Sequence, residues 1–221
     1  MKERPILFSG PMVRAILEGR KTQTRRIMKP QPSDDFQPEV GFYHPSKIDR
    51  RSGEYFPGPK TFGASDIEQD FPCRHGQPGG RLWVRETWRT HERDDGLDGI
   101  LYRADDAFRQ IENTVDAADR WCAVPRSNLW RSSIFMPRWA SRITLEITGV
   151  RVERLQEITE KDAIAEGVEK LPDYVLDPAP HRCCRHIEGY CQLWESINGD
   201  GSWAQNPWVW VIEFKRIGGA A

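Results

Sequence analysis

The stretch EGRKTQTRR, residues 18–26, packs one lysine, two threonines and three arginines into nine residues. A threonine hydroxyl attacks a carbonyl only when a base stands within hydrogen-bond reach. Lysine serves as that base where desolvation or neighbouring positive charge favours its neutral form. On an extended chain, alternation sets Thr22, Thr24 and Arg26 on one face and Lys21, Gln23 and Arg25 on the other. Lys21 and Thr24 therefore cooperate only if Lys21 lies in the turn after Gly19 or at a bulge. A solvated basic turn fits the same residues equally well.

A second group lies in TEKDAIAEGV, residues 159–168. Thr159 and Asp162 have capping-box spacing, and Glu160 and Asp162 suit the positive end of a helix dipole. Glu166 sits at the other end, where a carboxylate meets the negative pole and needs a cation to hold it. Lys21 is one candidate for that cation, and a solvated Glu166 is the alternative. Glu86, within LWVRET, reads as an inward carboxylate on a strand, with Arg26 or Arg85 as its partner.

Soft metal ligands form a third group. His181, Cys183, Cys184, His186 and Cys191, with Cys73 upstream, supply enough sulfur and imidazole for a tetrahedral structural zinc. Their spacing matches no paired C-x-x-C pattern, and cysteine is also a common small core residue, so the reading assigns no catalytic metal and no cofactor. G-x-G-x-x-G, P-loop, H-E-x-x-H and G-x-S-x-G patterns are all missing. The sequence therefore gives no support for a phosphate cradle or a hydrolase elbow.

The elements that must position these groups follow from pattern. Ile6 to Phe8 reads as a strand, followed by a helix with Pro11 at its start, an apolar face of Met12, Val13, Ile16 and Leu17, and Gly19 as its stop. Residues 82–88 and 100–104 are strand-like, and residues 105–121 read as a weak helix or loop. Ser141 to Leu155 alternates as a strand, bent or bulged at Gly149. A short helix follows Thr159, and Tyr190 to Ile197 reads as another. WVWVIEFKRI, residues 208–217, is apolar on both faces and is expected to be central in its sheet. The expectation is one α+β domain over residues 1–221, with irregular insertions at about 30–80, 89–135 and 169–190.

Composition limits the function classes. Mean hydropathy is −0.67. The sequence has no apolar run of membrane-spanning length, and its start has none of signal-peptide length, so a cytoplasmic protein without a membrane partner is expected. Five cysteines, an odd number, argue for reduced thiols. Net charge is −1, which supplies no global field toward nucleic acid. Yet 24 arginines against 8 lysines, interleaved with nine tryptophans, offer local surfaces for a nucleotide.

Taken together, ILFSGPMVRAILEGRKTQTRR, PGGRLWVRETW, LQEITEKDAIAEGV and NPWVWVIEFKRI closely resemble the ASCH domain family, in particular its larger phage- and prophage-encoded members. The resemblance implies a PUA-like fold, a small mixed β-barrel with short helices and long loop insertions. The family includes a compact bacterial enzyme that hydrolyses the amide of N4-acetylcytidine. Its G-R-K-T-x-T lysine and threonine and its T-E-K-x-A-x-x-E glutamate fall on Lys21, Thr24 and Glu166.

The resemblance implies an amidohydrolase. Thr24 would act as nucleophile, Lys21 as base, and Glu166 would orient Lys21 or pass a proton to the leaving amine. Thr22, Arg26 and Glu86 would contact a nucleoside substrate. Where the family usually has Gly-Asp before the second strand, this chain has Gly79-Gly80. PUA-like relatives that bind RNA or a modified nucleotide without turnover, or cleave RNA, supply the competing expectation.

Overall fold

The computed structural model describes residues 3–32, 40–58, 60–64, 69–93, 96–112, 114–124, 129–170 and 185–218. In chain order the strands and helices begin with β1 (Glu3–Leu7), α1 (Gly10–Leu17), β2 (Gln23–Ile27), β3 (Val40–Tyr43), β4 (Ser46–Ile48), β5 (Tyr55–Pro57), β6 (Thr61–Ala64) and β7 (Gln69–Phe71). They continue with β8 (Arg81–Arg85), β9 (Trp88–Glu92), β10 (Asp98–Tyr102), β11 (Phe108–Gln110), α2 (Val115–Cys122), β12 (Thr144–Arg154), α3 (Glu160–Ala165), α4 (Arg185–Asn198) and β13 (Trp208–Ile217). The fold is mixed α+β, built from small sheets and few helices. No sheet closes into a barrel among the described residues.

Two compact units are assembled from separated stretches: Met1–Thr22, Pro78–Thr148 and Phe214–Ala221 in one, Gln23–Gln77 and Gly149–Glu213 in the other. β12 and β13 each begin in one unit and end in the other.

In the first unit β1 runs parallel to β8, from Glu3 opposite Arg81 to Leu7 opposite Arg85, and β12 pairs antiparallel with β8 through Thr144, Leu145 and Glu146. Leu82, Trp83 and Val84 are consecutive and all buried, as a strand covered on both faces requires. α1 follows Ser9 with a proline in its first turn and buries Val13, Ala15 and Ile16. Gly19, at φ 76°, turns the chain out of it. Strands β9, β10 and β11 form an antiparallel meander. Trp88, Ile100, Tyr102, Trp121, Met136 and Ala140 make the core beneath it.

In the second unit β2 pairs antiparallel with β13, from Gln23 opposite Glu213 to Ile27 opposite Val209. Leu155, Ile158, Ala163, Tyr190, Trp194, Val209 and Val211 form its core. α3 opens with the expected cap: Thr159 Oγ1 accepts from the Asp162 amide at 3.1 Å, and Asp162 Oδ2 accepts from the Thr159 amide at 3.1 Å. A Cβ on Gly149 would lie 2.7 Å from Glu213 Oε2, the movable end of a half-exposed side chain, and β12 continues through Gly149 without a break.

Several expectations change. Residues 40–71 are not an irregular excursion: β3, β6 and β7 form one small sheet and β4 with β5 a hairpin. Strands of three or four residues are too short to show alternation, which hid them. Residues 82–88 are not one strand, because the chain breaks at Glu86 and Thr87 between β8 and β9. Residues 105–121 hold β11 and all of α2 but its last residue, and the N-cap Thr114 accepts from the Ala117 amide. No helix among the described residues is long and apolar enough to cross a membrane.

Candidate active site

The second unit gathers charge where a core is expected. Gln23, Thr24 and Arg25, the first three residues of β2, are all buried. The Arg25 side chain is fully enclosed and faces three carboxylates: Glu153 at 2.9 Å, Glu166 at 3.3 Å and Asp162 at 3.4 Å. A buried guanidinium is costly unless paired, and several carboxylates repay that cost by mutual hydrogen bonding. Arg151 adds a second cation to the group: it bonds Asp162 at 2.8 Å and also holds Glu153 and Glu213. Gln23 Nε2 donates to Asp162 Oδ1 at 3.2 Å. Burial opposes ionisation of Asp162, yet Thr159, Arg25 and Gln23 hold its pKa down to about 2.

Glu166 closes α3 as its C-cap and is buried. The cation that this position demands is supplied by Arg25. Tyr190, on α4, is buried too, and desolvation together with the Glu166 carboxylate raises its pKa well above the ordinary value. Burial works against the charge on Arg26, which Glu166 and Tyr190 support. Arg25, Arg26, Glu166 and Tyr190 thus share one electrostatic neighbourhood. Arg25 Nε, buried, has no hydrogen-bond partner among the described residues. Alternation along β2 puts Thr24 on the face opposite Arg25.

Lys21, Thr22 and Glu86 belong to the first unit; Thr24, Arg26 and Glu166 belong to the second. Lys21 forms an isolated β-bridge two positions before β2 begins, past the turn at residues 18 and 19. Its amide donates to Ala15 O at 3.0 Å, and its ammonium stands 5.6 Å from the Phe8 ring centroid. Thr22 is exposed.

Glu86 meets Arg142, rather than the expected Arg26 or Arg85, through two bonds of 2.9 Å. Arg142 also holds Asp105 through both terminal nitrogens at 2.8 and 2.9 Å and lies 4.1 Å from the Tyr102 ring centroid. Sequence pattern could not find this pairing, because Arg142 is 56 positions away. Burial raises the Glu86 pKa, and the Arg142 bridge opposes the shift.

Of the six zinc candidates, His181, Cys183 and Cys184 lie outside the described residues. Among the described residues no group of three His, Cys, Asp or Glu side chains could hold a metal. His186 Nδ1 engages Glu160, and Cys191 is a half-buried thiol whose pKa is raised by burial.

Tyr190, Arg25, Arg142 and Asp105 were not singled out by sequence. The signal for Arg25 was available in principle: a β-strand arginine directly before Arg26, in a stretch whose neighbours read as buried, must find carboxylates elsewhere in the chain. No protein-family model, curated protein or solved structure matches the chain.

Proposed function

We propose that this chain is a PUA-like member of the ASCH family and an amidohydrolase acting on an N4-acylated cytidine-type nucleoside, releasing cytidine and acetate from N4-acetylcytidine. The carrying observation is the burial of the three polar groups on which the family pattern falls: Lys21, Thr24 and Glu166 are only 2, 3 and 3% exposed. Polar side chains are placed so only where partners hold them, and a site that needs fixed polar groups is built that way. Lys21 and Thr24 are also three residues apart, so the chain itself limits their Cα separation to about 11 Å.

Thr24 Oγ attacks the acyl carbonyl while its proton passes to Lys21 Nζ. Collapse of the tetrahedral adduct breaks the bond to N4, which takes up a proton and leaves as the amine of cytidine. Water then cleaves the Thr24 ester, giving acetate and restoring the hydroxyl. Glu166 orients Lys21 or passes the proton to N4, and Arg26 contacts base or ribose. Thr22 is a supporting position, whereas Glu86, with both oxygens held by Arg142, belongs to the stabilising network. The reaction uses side chains and water throughout.

Purified protein incubated with N4-acetylcytidine is expected to yield cytidine, with Lys21→Ala and Thr24→Ala each abolishing turnover. Turnover that survives both substitutions would refute the assignment.

A further inference from the structure

The β4–β5 hairpin is ordered by its backbone and bare in its side chains. At its base Gly58 N donates to Pro45 O at 2.7 Å, and the His44 ring bonds Gly58 O at 2.9 Å. A Cβ on Gly58 would sit 2.9 Å from Pro45 O and 3.0 Å from Lys47 Cε, so glycine is required there. At the tip Asp49 Oδ1 accepts from the Arg51 amide at 2.7 Å, and Gly53, at φ 74°, returns its amide to Asp49 O at 2.8 Å. Yet every residue from 46 to 57 is exposed. Ile48, Tyr55 and Phe56 stand out at 53, 74 and 47%. A two-stranded hairpin burying none of its own side chains gains little from folding alone, and such apolar exposure marks an interaction surface.

Its chemistry indicates the partner. Residues 44–60 carry Lys47, Arg50, Arg51 and Lys60 against Asp49 and Glu54, and the Asp49 carboxylate is already engaged in the turn. Register pairs Lys47 with Phe56 and Ile48 with Tyr55, so each face of the ribbon presents an aromatic ring, and one face sets it beside a cation. Next to it in the chain, Lys60 lies 5.1 Å from the Phe42 ring, itself edge-on to the buried Phe62. A membrane-seeking hairpin would carry its apolar groups at the tip. Here the tip is Asp49, Arg50, Arg51, Ser52 and Gly53, and the rings lie along the strands.

We propose that the β4–β5 hairpin docks single-stranded nucleic acid, with Tyr55 and Phe56 stacking on unpaired bases and Lys47, Arg50, Arg51 and Lys60 taking phosphates. The assignment does not rest on the proposed amide hydrolysis, and it fits a chain of near-neutral charge, because it asks for only a few phosphate contacts.

The test is fluorescence anisotropy of the full chain with a labelled oligouridine RNA of about 12 nucleotides, a length near one single-strand site. Binding should weaken with salt at a log–log slope of about −3, for four phosphates. The double substitution Arg50→Ala with Arg51→Ala should flatten that slope by about 1.4. Tyr55→Ala should weaken binding about ten-fold, and Tyr55→Phe should leave it unchanged. Since all these residues are exposed, the unfolding midpoint should not move. Absence of RNA binding, or binding indifferent to these substitutions, would overturn the proposal. So would tighter binding to a duplex of the same length, or Tyr55-dependent binding to anionic phospholipid vesicles without RNA binding.

Discussion

Two charge networks, one in each unit, join arginines to carboxylates and differ in how fully their donors are matched. In the first unit Glu86 gives both oxygens to Arg142, both terminal nitrogens of Arg142 also hold Asp105, and the guanidinium carbon lies 4.1 Å from the Tyr102 ring centroid. Burial pushes the Tyr102 hydroxyl up to about 12, and that hydroxyl donates to Ala140 O at 2.8 Å. The network is saturated. In the second unit Arg25 is shared among Glu153, Asp162 and Glu166, its Nε is unmatched, and Arg26 and Tyr190 stand in the same field. A saturated network fixes one structure. We assign the first to stability and propose that the second, which holds Glu166, serves the site.

The comparison can be broken most forcefully at Arg142. Arg142→Ala leaves Glu86 buried and unpaired, and should cost about 3–5 kcal/mol of unfolding free energy. A loss under 1 kcal/mol in chemical denaturation would mean that the network is not structural.

Asp162 supplies the next effect. Its folded pKa, about 2, lies below the ordinary 3.8, so the contribution is complete above about pH 5 and is lost as pH falls toward 2. Discounted for solvent screening, it amounts to between about 1 and 2 kcal/mol. Acid unfolding of Asp162→Asn should lack that step, and an unaltered acid limb would contradict the pairing.

Tyr102→Phe removes one buried hydrogen bond and should cost about 1 kcal/mol, leaving turnover intact. Smallest in stability is Glu166→Gln. It keeps the shape and an acceptor for Arg25, so it should move stability by less than about 1 kcal/mol while lowering kcat about 100-fold. If stability falls sharply and kcat does not, the second network is structural like the first.

How much of this could be read in advance depends on how local the cause is. α1 and α3 follow from neighbours in sequence: Pro11 and Gly19 bound one, and Thr159 with Asp162 starts the other. β13 was legible because ten residues with apolar groups on both faces fit only a covered strand. Glu166 was legible as a carboxylate at the wrong end of a helix, which had to be compensated. What supplies the compensation was not, because Arg25 is 141 positions away and nothing local distinguishes it from Lys21. Glu86 was misplaced for a related reason: a break of two residues between β8 and β9 leaves no mark in a run as apolar as LWVRETW. The hairpin escaped detection because its order comes from turn chemistry at Asp49 and Gly53 and from the Gly58 base, without side-chain periodicity.

The proposed roles of buried Lys21, Thr24 and Glu166 are tested by release of cytidine from N4-acetylcytidine by the full chain, followed by chromatography beside Thr24→Ala, which deletes the hydroxyl and the γ-methyl and leaves every charge in place. Steady cytidine release by the parent chain is expected, with a loss of at least about 1000-fold in Thr24→Ala, the scale of removing a nucleophile. Equal release by both, or none by the parent chain, would contradict those roles.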